Sequence, residues 1–277
     1  MARDEANAGL SEEKRPLSGR RIVITRARSQ ANGFVRALED LGAEAIEFPT
    51  IEIVPPKNYD SLDRTLQKIE EYDWIIFTSV NGVSYFSARL AHLKRDIGIL
   101  SKIRVAAIGP ETARAVESLG VAPQVVPEEY RAEAILEKLS PEEMRGLKVL
   151  VPRAAQARDI LAQTLRQWGA EVDVVEAYRT VAAGSDPKWM RALLLRREAD
   201  MVTFTSSSTV SHFVALFAGA NVKELLASAA VACIGPITQS TAEEMGVRVD
   251  VVPKEYTIPG LTGAIVEYFR SKKGIRD

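Results

Sequence analysis

The chain has few of the side chains that support redox, metal or nucleophilic chemistry. Its 277 residues include one cysteine and two histidines. A single cysteine, Cys233, excludes an internal disulfide and favours a reducing compartment, and we interpret it as a buried strand residue. His92 and His212 fall in helical stretches without neighbouring ligands, so we expect no metal site.

Excess charge and long apolar segments are also missing. Lysine plus arginine number 36 and aspartate plus glutamate number 37, so nothing in the net charge attracts nucleic acid or a membrane surface. No segment approaches the ~20 consecutive apolar residues that span a bilayer. The first eighteen residues lack the basic start and apolar stretch of a signal peptide. We therefore expect a cytoplasmic protein with a loose tail over residues 1–18.

Nucleotide and hydrolase fingerprints are absent as well. The sequence contains no G-x-G-x-x-G and no P-loop. Its serine run at 206–208 lacks a G-x-S-x-G elbow and a plausible base. We therefore expect no nucleotide cofactor and no serine-hydrolase chemistry.

What the sequence does contain is a long internal repeat. Gly19–Ala27 aligns with Gly146–Ala154, an offset of 127, and the segment DWIIFTS at 73–79 aligns with DMVTFTS at 200–206. After a one-residue slip, VAAIGPET at 105–112 aligns with VACIGPIT at 231–238. A period this long is typical of a duplicated domain and too long for a solenoid.

Each copy alternates strands with helices. Its apolar runs are continuous, which is typical of strands covered on both faces of a parallel sheet. We predict an α/β protein with two flavodoxin-like, doubly wound parallel sheets, whose ligands bind beyond the carboxyl ends of the strands. In the first copy the predicted strands are 21–25, 44–48, 74–78 and 105–108, with a helix over 29–41 that Gly42 ends and another that ends at Gly120.

Two kinds of loop follow the predicted strands, and each occurs twice. One carries serine or asparagine as a helix N-cap, and the other carries Gly-Pro before a helix. Ordinary capping explains any one of these loops, but four of them suggest a surface where backbone N–H groups bind carboxylates. The candidate binding residues are Thr78, Ser79, Asn81, Gly109, Pro110, Glu111, Thr112, Ser206, Ser207, Gly235 and Thr238.

Three further positions are candidates from their place in the repeat. Arg26 and Arg153 each end the first strand of a copy, where an arginine either pairs with a ligand carboxylate or forms a surface salt bridge. Tyr130 and Tyr256 occupy equivalent positions, which favours packing. Tyr178, just after a strand, aligns with Ile51, and this asymmetry makes Tyr178 the better candidate for chemistry.

Taken together, the segments ITRA, FTS, IGPETA, PRA and AYRT resemble those of uroporphyrinogen-III synthases, from about Gly19 to the C-terminus. The resemblance implies that the two domains are not simply the two copies. Residues 19–50 and 182–277 would form domain 1 and residues 54–177 domain 2, with linker strands at 51–53 and 178–181. It also implies a monomer.

The resemblance implies the reaction as well. The family is a class of cofactor-free lyases whose substrate, hydroxymethylbilane, is a linear tetrapyrrole with eight carboxylates. It loses its terminal hydroxyl as water, gives an azafulvene cation, and closes through a spiro intermediate with inversion of ring D. Tyr178 would assist departure of the hydroxyl, although a phenol is a weak proton donor at neutral pH. Ser79, Thr112, Ser206 and Thr238 match cleft-lining positions.

Two other functions remain open at this point. A two-lobed binding module could close on a small acid in the manner of periplasmic receptors, which a signal peptide or an attached signalling segment would support. A sugar or phosphate transferase could use two Rossmann-like domains, but it would need a nucleotide fingerprint.

Overall fold

The computed structural model describes residues 15–128, 131–155 and 160–273. The described chain forms two compact units, one containing the residues up to Glu52 and from Val181, the other containing Ile53–Thr180. In chain order the elements are β1 (Arg21–Ile24), α1 (Arg28–Asp40), β2 (Glu44–Glu47), β3 (Ile51–Val54), α2 (Asp60–Gln67), β4 (Trp74–Phe77), α3 (Val80–His92), β5 (Arg104–Ala107), α4 (Pro110–Glu117), α5 (Ala132–Leu136), α6 (Pro141–Met144), β6 (Lys148–Ala154), α7 (Ile160–Gln167), β7 (Glu171–Ala182), α8 (Pro187–Leu195), β8 (Met201–Phe204), α9 (Ser207–Leu216), α10 (Val222–Leu225), β9 (Ala230–Cys233), α11 (Pro236–Glu244) and α12 (Ile258–Lys273).

Each unit is built around its own sheet, and each sheet mixes strands from both repeat copies. The order is β2-β1-β8-β9 in the first unit and β3-β7-β6-β4-β5 in the second. Parallel pairing joins β1–β2, β1–β8 and β8–β9 in the first unit. It also joins β6–β7, β4–β6 and β4–β5 in the second. Each sheet therefore takes the first two strands of one copy and the last two of the other, and the second sheet also has β3 at its edge. The predicted α/β class with two parallel sheets is confirmed.

The contacts between copies have the same register in both sheets. In the first unit Ile22 pairs with Met201, and in the second Val149 pairs with Trp74. These four residues are related by the repeat offset of 127. An isolated bridge extends each sheet beyond its last strand, joining Ala232 to Val251 and Ala106 to Val125. Counted with these bridges, the strand order of the first unit is the flavodoxin-like 2-1-3-4-5.

The continuous apolar strands are buried on both faces, as the sequence predicts. All residues of β4, β8 and β9 are buried. In the first unit, one apolar cluster joins the sheet to α8–α11 and another joins it to α1 and α12. In the second, the corresponding clusters involve α2–α4 and α5–α7. Both sheets are therefore doubly wound.

Two sequence predictions about boundaries need correction. The predicted tail of residues 1–18 extends too far, because Leu17 is fully buried and its N–H donates to the Leu41 carbonyl; residues 1–14 lie outside the described part of the chain. Tyr178 does not follow a strand but lies inside β7, which continues to Ala182. The chain passes between the two units within β3 and again within β7.

None of the helices within residues 15–128, 131–155 and 160–273 combines the length and apolar character needed to cross a bilayer.

In each sheet an aspartate links the two paired strands that come from different copies, at the amino ends of those strands. The Asp200 carboxylate accepts the Arg21 N–H at 2.8 Å, and the Asp73 carboxylate accepts the Lys148 N–H at 2.9 Å. We expect Asp200→Ala and Asp73→Ala each to lower the free energy of unfolding by about 1–2 kcal/mol, because a strand amide loses its acceptor. The Asn variants retain an amide oxygen and should lose less. Chemical denaturation measures this, and equal losses in the Ala and Asn variants would contradict the assignment.

Cys233 provides a chemical test of the sheet. It is fully buried in β9, and burial raises the pKa of its thiol to about 12. Because only the thiolate reacts, we expect a disulfide reagent at pH 8 to label almost no thiol in the folded protein and one thiol per chain after denaturation. Rapid labelling under native conditions would contradict this burial.

Candidate active site

Polar residues follow three adjacent strands in each unit, at the carboxyl ends where parallel strands share an edge. In the first unit these strands are β1, β8 and β9, and in the second they are β6, β4 and β5. Neighbouring strands lie about 4.8 Å apart, so the loops after them are close within each unit. Arg26, Ser206, Ser207, Gly235 and Thr238 share this edge in the first unit; Thr78, Ser79, Asn81, Gly109, Pro110, Glu111, Thr112, Arg153 and Tyr178 lie in the second.

The serine loops form N-caps, and the structure selects between the residues left open by the sequence. Ser79 caps α3, and its Oγ accepts the Gly82 N–H at 3.0 Å. Ser206 caps α9, where it forms a capping box with Thr209. Asn81 is the second residue of α3, and Ser207 is the first residue of α9.

The Gly-Pro loops cap their helices without a side chain. Gly109 and Gly235 are the N-caps of α4 and α11 and have extended backbone, with φ of −178° and −175°. That conformation suits any residue, so a sharp turn does not explain these glycines. At Gly235 the reason is space, because a Cβ would lie 3.1 Å from the Tyr256 ring. Tyr256 therefore packs against the loop, whereas Tyr130 lies outside the described residues.

Each of the four helices directs amide groups outward from its N-terminus. In α3 and α9 the serine side chain accepts the third amide, and the first two amides point out of the helix end. In α4 and α11 proline occupies the first position and has no N–H, so the second and third amides are the ones directed outward. Each unit thus presents two pairs of N–H groups at the positive ends of helices, where carboxylates bind favourably.

Three of the predicted binding side chains are poorly placed for direct contact. Thr112 and Thr238 are only 4% and 5% exposed, because they lie on the inner face of the first helical turn. The Glu111 carboxylate pairs with Arg114 at 2.5 Å and would repel an anion. At these three positions the backbone N–H is the group that suits a carboxylate. The repeat equivalent of Glu111 is the exposed Ile237.

The two arginines occupy unequal positions. Arg26 lies two residues beyond β1, whereas Arg153 is part of β6, opposite Glu176 of β7. Both are half-buried, and Thr78 is half-buried between β4 and Ser79. Both arginines thus lie at the carboxyl ends of their strands, as the repeat predicts.

Tyr178 owes its orientation to a β-bulge. Arg153 pairs with Glu176, but the next residue, Ala154, pairs with Tyr178, so Ala177 is the extra residue. The bulge explains why Ala177 and Tyr178 are both buried in a strand that otherwise tends to alternate. It turns the Tyr178 ring towards α3, where its hydroxyl lies 3.0 Å from Ser79 Oγ. Sequence reasoning missed this bulge, because EVDVVEAY has no strict alternation for an extra residue to interrupt.

A second tyrosine that the sequence analysis did not single out completes this cluster. The rings of Tyr85 and Tyr178 stack with centroids 5.8 Å apart and an interplanar angle of 26°. The Tyr85 hydroxyl donates to the Ile53 carbonyl at 3.1 Å.

The described residues contain no group of three or more His, Cys, Asp and Glu side chains arranged to hold a metal ion. His212 lies in α9, and its Nδ1 is 2.8 Å from the Ser208 carbonyl. His92 is the last residue of α3.

Comparison with known proteins agrees with the resemblance seen in the sequence. The family model described as "Uroporphyrinogen-III synthase HemD" matches residues 32–263. The uroporphyrinogen-III synthase of Synechococcus elongatus is 33% identical over 261 residues, which cover 93% of this chain and 98% of that protein. The synthase of Chlorobaculum parvum is 30% identical and covers 89% of this chain and 98% of its own.

A solved structure shares the fold. A mutant uroporphyrinogen III synthase from Thermus thermophilus matches with a TM-score of 0.67 at 21% identity, covering 92% of this chain and all of that one. At this identity the likeness shows the fold.

Two glycines provide a matched test of how α3 lies against the sheet. A Cβ on Gly82 would lie 2.9 Å from the Pro152 carbonyl and 3.3 Å from Ser79 Oγ, whereas one on Gly33 of α1 meets nothing within 4 Å. We expect Gly82→Ala to lower the free energy of unfolding by about 1–3 kcal/mol through overpacking. Gly33→Ala should raise it by up to about 1 kcal/mol, because alanine favours the helix. Thermal or urea unfolding measures both, and a stabilising Gly82→Ala would contradict the close approach.

Proposed function

Because the chain belongs to the uroporphyrinogen-III synthase family, we propose that it cyclises hydroxymethylbilane to uroporphyrinogen III, with loss of water and inversion of ring D. The observation that carries the proposal is the set of paired N–H groups at the starts of α3, α4, α9 and α11. A substrate with eight carboxylates needs several anion sites, and a chain of net charge −1 must supply them locally.

In this reaction the protein mainly has to fix the conformation of the substrate and to stabilise a cation. Hydroxymethylbilane closes without an enzyme to the uninverted type I ring. The synthase must therefore hold the linear tetrapyrrole in the conformation that leads to the spiro intermediate. Binding side-chain carboxylates at fixed points restricts that conformation. The interactions that matter are those that strengthen as the azafulvene cation forms.

We assign the departure of the hydroxyl to Tyr178. Ser79 Oγ already accepts the Gly82 N–H and shares one hydrogen bond with the Tyr178 hydroxyl. If Ser79 donates to Tyr178 Oη, the phenol proton is directed to the leaving hydroxyl, which departs as water. The Ser79 hydrogen bond then stabilises the Tyr178 phenolate until it takes up a proton from solvent. A phenol is a weak acid, so its assistance to this step is modest.

Carboxylate binding is assigned to the backbone amides, with the arginines as partners. The amides of Asn81, Glu111, Ser207 and Thr238 are representative of the four helix starts. Arg26 and Arg153, at the carboxyl ends of β1 and β6, would pair with further carboxylates. We propose that Thr112 and Thr238 act by shaping the first turn, since their side chains are buried.

We further propose that the chain acts as a cytoplasmic monomer without cofactor, nucleic acid or membrane partner. The near balance of 36 basic and 37 acidic residues supports the absence of a nucleic-acid or anionic-membrane partner. A single buried cysteine suits a reducing compartment. The monomeric state rests on the family resemblance.

The activity is tested by supplying the purified protein with freshly generated hydroxymethylbilane and separating the products by isomer. We expect type III to predominate, against type I in a blank without protein. If only type I appears, the proposed function is wrong.

The site assignments are tested by Tyr178→Phe, Thr112→Ala and Thr238→Ala in the same assay. We expect Tyr178→Phe to lower kcat by about three- to tenfold, because a weak general acid is removed. The threonine variants should lose less than about tenfold in kcat/KM, since the amides that bind carboxylates remain. Wild-type rates in all three variants would contradict the assignments and leave the activity itself untouched.

A further inference from the structure

The Tyr178 ring is the centre of an aromatic pair that ties three elements of the second unit together. Tyr178 belongs to β7, Tyr85 to α3, and the Tyr85 hydroxyl donates to the Ile53 carbonyl of β3. The rings overlap with a centroid distance of 5.8 Å and an angle of 26°. Offset-stacked rings at this separation attract each other beyond their shared burial.

The pair constrains the hydroxyl of Tyr178 in a way that a single hydrogen bond would not. A tyrosine has two side-chain torsions, and the contact with Ser79 Oγ fixes only the distance of the hydroxyl from the α3 cap. Stacking on Tyr85 also fixes the plane of the ring. With both contacts, the hydroxyl has one position and the ring one orientation.

Tyr85 is itself held firmly enough to act as a support. Its hydrogen bond to Ile53 anchors the end of the side chain, and α3 fixes its base about 1.7 turns beyond the Ser79 cap. The close approach of Gly82 to the Pro152 carbonyl fixes the distance of α3 from β6. The support is therefore rigid relative to the sheet on which Tyr178 lies.

We propose that Tyr85 is a positioning residue for the reaction, acting through Tyr178 by holding its ring so that the hydroxyl stays directed at the departing group. This inference rests on the proposed synthase activity. It assigns Tyr85 no contact with substrate. Loss of the stack should therefore lower kcat and leave KM nearly unchanged.

A double-mutant cycle separates this role from ordinary packing. We expect Tyr85→Leu to lower kcat by about twofold to tenfold in the wild-type background, no further than Tyr178→Phe does. In the Tyr178→Phe background the same change should lower kcat by less than twofold, because the hydroxyl that Tyr85 positions is gone. Tyr85→Phe keeps the stack, loses the Ile53 anchor, and should give a smaller loss than Tyr85→Leu.

Tyr59→Leu is the matched control. Tyr59 lies in the same unit, and its ring centroid is 3.8 Å from the Arg89 guanidinium carbon. The ring on which Tyr178 stacks is instead that of Tyr85. We expect this variant to lower the free energy of unfolding with kcat unchanged. Equal losses of kcat in both backgrounds, or a wild-type kcat in Tyr85→Leu, would overturn the proposal.

A spectroscopic arm keeps the inference separate from the activity. In protein with ring-labelled tyrosine, the Tyr178 signal is identified by its loss in Tyr178→Phe. We expect Tyr85→Leu to move it, through loss of the ring current, and Tyr59→Leu to leave it in place. An unmoved signal would overturn the inference even if type III product forms, whereas type I product alone from the wild-type protein would defeat the proposed function instead.

Discussion

The parallel pairing of strands from different repeat copies is the interaction on which the rest of the structure depends. β1 pairs with β8 and β6 with β4, in the same register once the repeat offset is removed. Because these pairs are parallel, the loop after the first strand of one copy and the serine-capped helix of the other begin at the same edge. Arg26 thereby lies just beyond β1, next to the strand that leads to Ser206, and Arg153 lies in β6, next to the strand that leads to Ser79.

The two units use this common frame differently. In the first, buried threonine hydroxyls form the layer beneath the helix starts: Thr25 donates to the Thr203 carbonyl at 2.7 Å, and Thr50 donates to the Thr209 carbonyl at 3.0 Å. The second unit has Pro152 and Ile76 at the repeat positions of Thr25 and Thr203. In the second unit the bulge instead brings the Tyr178 hydroxyl to Ser79. The duplication thus supplies similar anion-binding ends, while the proposed proton donor belongs to one unit.

The sequence predicted the parts of the fold that depend on local pattern. Apolar runs such as WIIF at 74–77 predicted strands buried on both faces, and Gly42, with φ of +93°, ends α1 as expected. The exchange of strands between copies could be predicted only from the family resemblance. The two copies have the same apolar pattern, so pairing within or between copies would bury the same faces. Burial of Thr112 and Thr238 depends on which side of the first helical turn faces the sheet, and a cap motif alone does not determine this. The stack of Tyr85 on Tyr178 depends on a one-residue bulge in β7, a long-range feature of pairing.

We propose that backbone amides at the starts of α3, α4, α9 and α11 bind tetrapyrrole carboxylates. The most direct measurement is a titration of ¹⁵N-labelled protein with uroporphyrinogen III under reducing conditions, with its uncharged octamethyl ester as the control. We expect the first-turn amides of α3, α4, α9 and α11 to shift with the acid and much less with the ester. Shifts confined to exposed lysine and arginine segments, with those first-turn amides unmoved, would contradict it.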